Sequence, residues 1–265
     1  MTPNIHPTMG PVNWLGLWTL LSKEVRRFLK VYFQTIFAPV VTTLLFLAVF
    51  ALALGGKPLQ MVDGVPLLEF LAPGLIMMTM VQNAFANSSS SLIMAKVQGN
   101  IIDVLMPPLS AGELVAGFAG GGVVRGLFVG VVVAVSMAFF VPLAAPHPFF
   151  ILYHAVAAST MLSLLGMMGG IWADKFDHMA AVTNFVITPL SFLSGTFYTI
   201  DRLPEIFHAV ALVNPFFYMI DGFRYGMIGH ADGSLLAGLI YIGLVDVALL
   251  FLSWRMFKVG YKLKA

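Results

Sequence analysis

The sequence has no cysteine, which excludes disulfides, thiolate metal sites and a cysteine nucleophile. Charge is nearly as scarce, at 10% of residues against about 25% in soluble domains. Catalytic signatures are missing too: no H-E-x-x-H, serine-elbow or Walker A pattern occurs. Gly55-Gly56-Lys57 lacks both the earlier glycine and the following Ser or Thr of a phosphate loop. His154 falls in an apolar stretch and His178 at a turn, and both read as structural. No short apolar core followed by a small-residue cleavage site opens the chain, so no secretory signal is expected. The chain is not expected to be an enzyme, nor to hold a cofactor or metal of its own.

What is abundant is apolar surface: 59% of the 265 residues are hydrophobic, which makes this an integral membrane protein. The sixteen methionines read as adaptable packing. Residues 1–13 are polar and expected to form a loose tail. In Trp14 to Lys30, the residues Trp14, Trp18, Leu21, Val25 and Phe28 recur at helical spacing, with Lys23, Arg26, Arg27 and Lys30 on another face. Tryptophan beside a basic stripe suits a helix lying among lipid headgroups.

Residues 31–257 then carry six expected spans, near 31–55, 69–93, 112–141, 149–172, 180–197 and 235–256, before a basic tail at 258–265. Pro39 should kink the first. Asn83 and Asn87 share a face of the second, where inter-helix hydrogen bonding is the commoner use of amides and pathway lining the rarer. The third holds overlapping small-xxx-small patterns between Gly117 and Gly130, and the fourth holds Gly166 and Gly170; both argue for close helix contact. Between spans two and three lies a polar island, Lys96 to Ser110. Its Val97, Ile101, Val104 and Leu105 fall on one helical face, Gln98, Asn100 and Asp103 are polar, and Pro107-Pro108 stops it. It reads as a docking helix for a soluble partner or as an ordinary polar turn.

Between spans five and six, Pro204 to Val213 and Pro215 to Ile228 are apolar but too short to cross a bilayer. They suggest a re-entrant hairpin, with Asn214 as a cap and Asp221 and Arg224 as a surface ion pair. Six spans put both termini on one side. Ten Lys and Arg lie on that side and three (Lys57, Arg202 and Arg224) on the other, so the termini and the island are expected in the cytoplasm and the hairpin outside. Arg125 and Asp246 lie inside spans. They are expected to pair or to face a hydrated cavity, unless a cytoplasmic extension of the third helix brings Arg125 nearer the inner surface. The expected fold is an all-α integral membrane protein: six transmembrane helices, an N-terminal amphipathic interfacial helix, and an external re-entrant hairpin between spans five and six.

The order of these pieces resembles the permease subunits of ABC-2 type transporters, particularly the YadH-like branch, over roughly Trp18 to Arg255. The likeness is strongest over Phe70 to Gly130. It recurs over Thr188 to Gly229 in Ser194-Gly195, Phe197-Tyr198, Leu203-Pro204, Asn214-Pro215 and Asp221-Gly222-Phe223-Arg224. The resemblance implies an exporter subunit of the cytoplasmic (inner) membrane that moves a lipid, drug or lipid-linked glycan. Trp14–Lys30 becomes the gate helix. Gln98, Gly99, Asn100, Ile101, Asp103, Val104, Leu105 and Pro107 form a coupling helix, and Phe197, Tyr198, Asn214, Pro215, Phe216, Phe217, Tyr218 and Arg224 belong to the exit hairpin. Implied partners are a second copy of the chain, two separate ATP-binding subunits carrying ATP and magnesium, and membrane lipids, with no nucleic acid. The competing expectation is a self-contained secondary transporter using Arg125 and Asp246 as a charge relay.

Overall fold

A computed structural model describes residues 12–54, 61–62, 64–200 and 203–263. Residues 1–11, the Gly55–Pro58 break, and Lys57, Arg202 and Lys264 of the charge count lie outside these.

The chain folds as α1 (Trp14–Lys30), a π-helical turn (Phe33–Phe37) leading into α2 (Ala38–Leu54), and a two-residue antiparallel ladder of Met61–Val62 with Val65–Pro66. Then come α3 (Leu67–Val97), α4 (Ile101–Leu105), α5 (Ala111–Met137) and α6 (Pro148–Trp172). α7 (Phe176–Val182) passes through a second π turn (Thr183–Ile187) into α8 (Thr188–Phe192), followed by α9 (Glu205–Val213), α10 (Pro215–Ile228) and α11 (Leu235–Val259).

Among the described residues five helical stretches are long and apolar enough to cross a membrane: Phe33–Ala53, Leu67–Val97, Ala111–Met137, Pro148–Trp172 and Leu235–Val259. They match five of the six expected spans. The remaining one, expected at 180–197, is a shorter helical run from Phe176 to Phe192. α9 and α10 meet at 81° and would count as one further crossing only if taken together.

α3, α5 and α6 form the centre, and their glycines set the spacing. A Cβ on Gly130 would meet Met80, on Gly126 the Ala84 side chain and Met80 carbonyl, and on Gly122 the Ser88 and Ser163 hydroxyls. The contacts move four residues along each helix in opposite directions, so α5 lies antiparallel to α3. Gly166 and Gly170 abut the backbone of Phe85 and Ser89 in the same sense, so α6 runs parallel to α3. The small-residue patterns act as expected: they replace side chains with backbone contact.

Pro39 does not simply kink the first span. A proline supplies no N–H to the carbonyl four residues earlier. The chain answers with a π turn directly upstream, in which the Ala38 amide donates to Phe33. The same arrangement precedes Pro189.

The sequence pattern Ser110-x-x-Glu113 caps α5 and reaches across to α1. Ser110 and Glu113 form a capping box on α5. Glu113 also accepts from the Asn13 amide, while Asn13 caps α1 through Gly16 and donates to the Pro108 carbonyl at 3.2 Å. Asn13, expected in the loose tail, is therefore a fixed joint between α1 and the start of α5.

Candidate functional site

The island is a knee between α3 and α5. The expected helix from Gln98 to Leu105 is shorter: α3 runs to Val97, Gly99 takes a positive φ of 74°, and only Ile101–Leu105 is helical before Pro107. The Gly99 turn breaks the assumed helical register, so Val97 is 53% exposed rather than part of the apolar face. Ile101 and Val104 are buried against Leu20, Leu92, Leu114, Phe118, Leu164, Met167 and Phe257, from α1, α3, α5, α6 and α11. Leu105 is half-buried, and Gln98, Asn100, Asp103 and Pro107 are exposed. The sequence reading missed Ile102 and Met106, which are 60% and 75% exposed and stand outward beside Asp103. A cavity of about 720 Å³ separates the knee from α1, lined in part by Leu15, Lys23, Arg27, Gln98, Asn100 and Asp103.

α1 presents its tryptophans outward, with Trp14 and Trp18 largely exposed and Lys23 and Arg26 exposed beside them. Its inner face is Leu20, Glu24 and Phe28, all buried. Arg27 is a correction to the basic stripe: it turns inward. Its guanidinium pairs with Glu24 at 3.1 Å and donates to the Asn87 carbonyl at 2.6 Å, the Asn87 side chain at 3.1 Å and Ser90 Oγ at 3.0 Å. Glu24 Oε1 accepts from Ser91 at 2.7 Å. The missed signal was the four-residue spacing of Leu20, Glu24 and Phe28, which puts the glutamate on the packed face. Gly121 leaves room for it, since a Cβ there would strike the Glu24 side chain.

Arg125 does not pair with Asp246. Its Nη2 donates to Asn83 Oδ1 at 2.9 Å, and no described carboxylate lies within ion-pair distance of it. Asp246 Oδ1 is buried without a hydrogen-bond partner. The charge relay expected of a secondary transporter is thus not assembled. Asn83 and Asn87 serve inter-helix bonding, to Arg125 and Arg27. Depth follows from the register. Thr43 and Thr79 share a 2.8 Å hydrogen bond between the antiparallel α2 and α3. Counted from that pair at 1.5 Å per residue, Asn83 and its Arg125 lie about 9 Å inside the α1-side end of the first span. Arg125 is therefore off the span's middle, because α3 and α5 both extend past that end.

On its other side the same polar strip of α3 opens into a cavity of about 390 Å³, where Gln82, Asn83, Ser89 and Ser90 face Thr183 and Thr188 of the α7–α8 run.

At the far end of the bundle, Asp221 and Arg224 are not a surface ion pair; both are buried. Asp221 accepts from the amides of Asp232 and Gly233 at 2.7 and 3.0 Å, tying down the α10–α11 loop. Arg224 lies 3.8 Å from the centre of the Phe70 ring, donates to the Gly195 carbonyl at 2.5 Å, and approaches Asp232 at 3.8 Å. A three-residue helical spacing allowed a pair, but tertiary partners took both groups. Asn214 caps α10 through the Phe216 amide, as expected, and Pro215 occupies its first turn. Phe216 and Phe217 are buried core. Phe197 stacks between Phe50 and Phe192, and Tyr218 packs on Tyr241. Tyr198 is half-buried and donates to Phe192.

The described residues thus form a bundle of membrane-length helices with a short helical knee between α3 and α5. The chain belongs to the ABC-2 type transporter family, whose model matches residues 16–228. It is 36% identical over 252 residues to the Inner membrane transport permease YadH of Escherichia coli (strain K12), covering 95% of this chain and 98% of that protein. It is also 28% identical over 244 residues to Nodulation protein J of Rhizobium leguminosarum bv. viciae, covering 89% and 91%.

Proposed function

We propose that this chain is the permease subunit of an ABC exporter in the inner membrane. It dimerises with a second copy and is driven by two separate ATP-binding subunits, which bring the ATP and magnesium. The observation that carries the reading is the knee. Ile102 and Met106 stand outward while Ile101 and Val104 are set in a cluster shared by five helices, so force applied to the exposed pair reaches the bundle. A short helix between a left-handed glycine and a proline gives way less than a loop.

In this reading the knee is the coupling helix and α1 the interfacial gate helix, both cytoplasmic. The ten-to-three Lys and Arg asymmetry supports that orientation, and burial of Arg224 leaves still less positive charge on the opposite face. The α7–α8 run is the sixth crossing, since about 25 Å of continuous helix nearly spans a hydrocarbon core. The 81° bend between α9 and α10 then suits a re-entrant external hairpin. The cargo is a hydrophobic or amphipathic molecule, in keeping with a pathway of few charges.

The test is co-expression with the candidate ATPase and measurement of stimulated ATP hydrolysis in nanodiscs. Ile102→Asp and Met106→Asp should abolish co-purification or stimulation while the permease stays monodisperse. Ile101 is unsuited to this, because it is buried and a charge there would disrupt the core. Normal stimulation in both variants would remove the coupling role from the knee.

A further inference from the structure

The strip of α3 from Asn83 to Ser90 gathers around it more hydrogen-bond donors and positive charge than the described residues there satisfy. Arg27 and Arg125 both bond to it, from α1 and α5, and among the described residues Glu24 is the one carboxylate bonded to either. That leaves one positive charge in excess. Their acceptors Asn87 and Asn83 lie one helical turn apart on α3. Arg125 spends one nitrogen on Asn83. Its Nε is buried with no acceptor, and no hydrogen bond from Nη1 is found among the described residues. Asn87, fully buried, likewise keeps an unmatched Nδ2. Buried donors ordinarily find acceptors, and a cation at membrane depth ordinarily finds an anion. No described residue supplies one for Arg125.

We propose that Arg125, with Arg27 beside it, binds the phosphate group of an anionic amphiphile. A guanidinium presents parallel N–H groups that match two oxygens of a phosphate. The depth fits: about 9 Å inside the end of the first span is within reach of a long side chain extended toward the headgroup layer. The surroundings fit the rest of such a molecule. Arg125 is half-buried, and next to it Val124, Phe128, Val131 and Val135 form an exposed apolar track along α5. A phosphate held at Arg125 would lay an alkyl chain on that track. The same chemistry belongs to a resident phospholipid or to a phosphorylated cargo. The site does not depend on the ATPase-coupled reading, because it concerns binding by the chain alone.

Native mass spectrometry of the purified chain in detergent tests this without ATPase or nucleotide. The probes are phosphatidylglycerol, diacylglycerol with the same chains, and glycerol phosphate. Phosphatidylglycerol should be retained in preference to diacylglycerol. Arg125→Gln should lower its apparent affinity about tenfold, and Arg125→Lys should fall between. Competition by glycerol phosphate would show that the phosphate alone suffices, as for a soluble phosphorylated cargo. No competition, with Arg125→Gln still deficient, would assign the site to a membrane-borne phosphate. Equal retention of both lipids by the wild type, or undiminished binding in folded Arg125→Gln, overturns the proposal. If Arg125→Gln fails to fold, the wild-type lipid comparison and Arg125→Lys still decide it.

Discussion

Lys96 Nζ donates to the backbone oxygens of Ile171 and Ala173 at 2.7 and 2.6 Å, so the last turn of α3 caps the end of α6. Lys262 reaches the same corner, donating to the Trp172 carbonyl at 3.1 Å and to Asp174 at 3.2 Å. Cations suit a helix C-terminus, whose last carbonyls lack partners. Lys96→Ala should lower stability by about 1–3 kcal/mol, read as a lower melting temperature in detergent. Lys96→Arg should recover part of it.

Asp174 makes this corner sensitive to acid. The hydrogen bond from Lys262, with a further one from Lys96, holds its carboxyl below the usual carboxylate value. A depressed folded pKa gives stability that is complete above the unfolded value, near pH 4. That stability is lost as pH falls through the lower folded value. Comparing wild type with Asp174→Asn across pH 3 to 6 should therefore show the difference shrinking toward the acid end. A difference that grew on acidification would contradict the assignment.

The glycines of the central helices should not be interchangeable. Gly166→Ala drives a Cβ into the Phe85 carbonyl, and backbone cannot rotate away as a side chain can. The expected loss is about 1–3 kcal/mol or more. Gly112 has nothing within 4 Å of an added Cβ, so Gly112→Ala should be neutral or gain up to about 1 kcal/mol of helix stability. Melting curves for the two variants, side by side, check the contrast.

Glu24→Ala removes the buried partner of Arg27 and the acceptor of Ser91. Because Arg27 retains some solvent access, the cost should stay at about 1–3 kcal/mol, below that of a fully buried broken pair. The damage should be local. Hydrogen exchange would rise across α1 while the α9–α10 region stayed protected; uniform loss of protection would mean that α1 is not held by this network.

Asp221→Asn keeps one acceptor where two amides converge, so it should cost about 1–2 kcal/mol. Limited proteolysis should then cut the loop between α10 and α11 faster, with α1 unaffected.

Much of this architecture was legible in the sequence because membranes simplify the problem. Apolar length gave five spans, and small-residue spacing gave the packing of α5 and α6. Pro107, Pro215 and Asn214 marked helix ends correctly, whereas Pro39 and Pro189 sit within helical runs. What stayed hidden were partners chosen in three dimensions. Arg27 looked like one cation in a surface stripe until Asn87 and Ser90 were placed opposite it. Asp221 and Arg224 looked like each other's partners until Asp232, Gly195 and Phe70 came near. In the island, one left-handed glycine shifted the helical phase, so the outward residues became Ile102 and Met106. Periodicity describes a helix only between its breaks, and Gly99 was such a break.

The two π turns lie in the α2 and α8 runs, each with a proline two positions after its end. A π turn stores one residue more than an α turn. Passing that residue along the helix advances the chain beyond it by about 1.5 Å and rotates it by about 100°. The two runs can thus present a different set of side chains to their neighbours by moving a dislocation, with nearly all backbone hydrogen bonds retained throughout. Prolines in both places remove an amide that a regular α turn would use, which keeps the extra residue from annealing away.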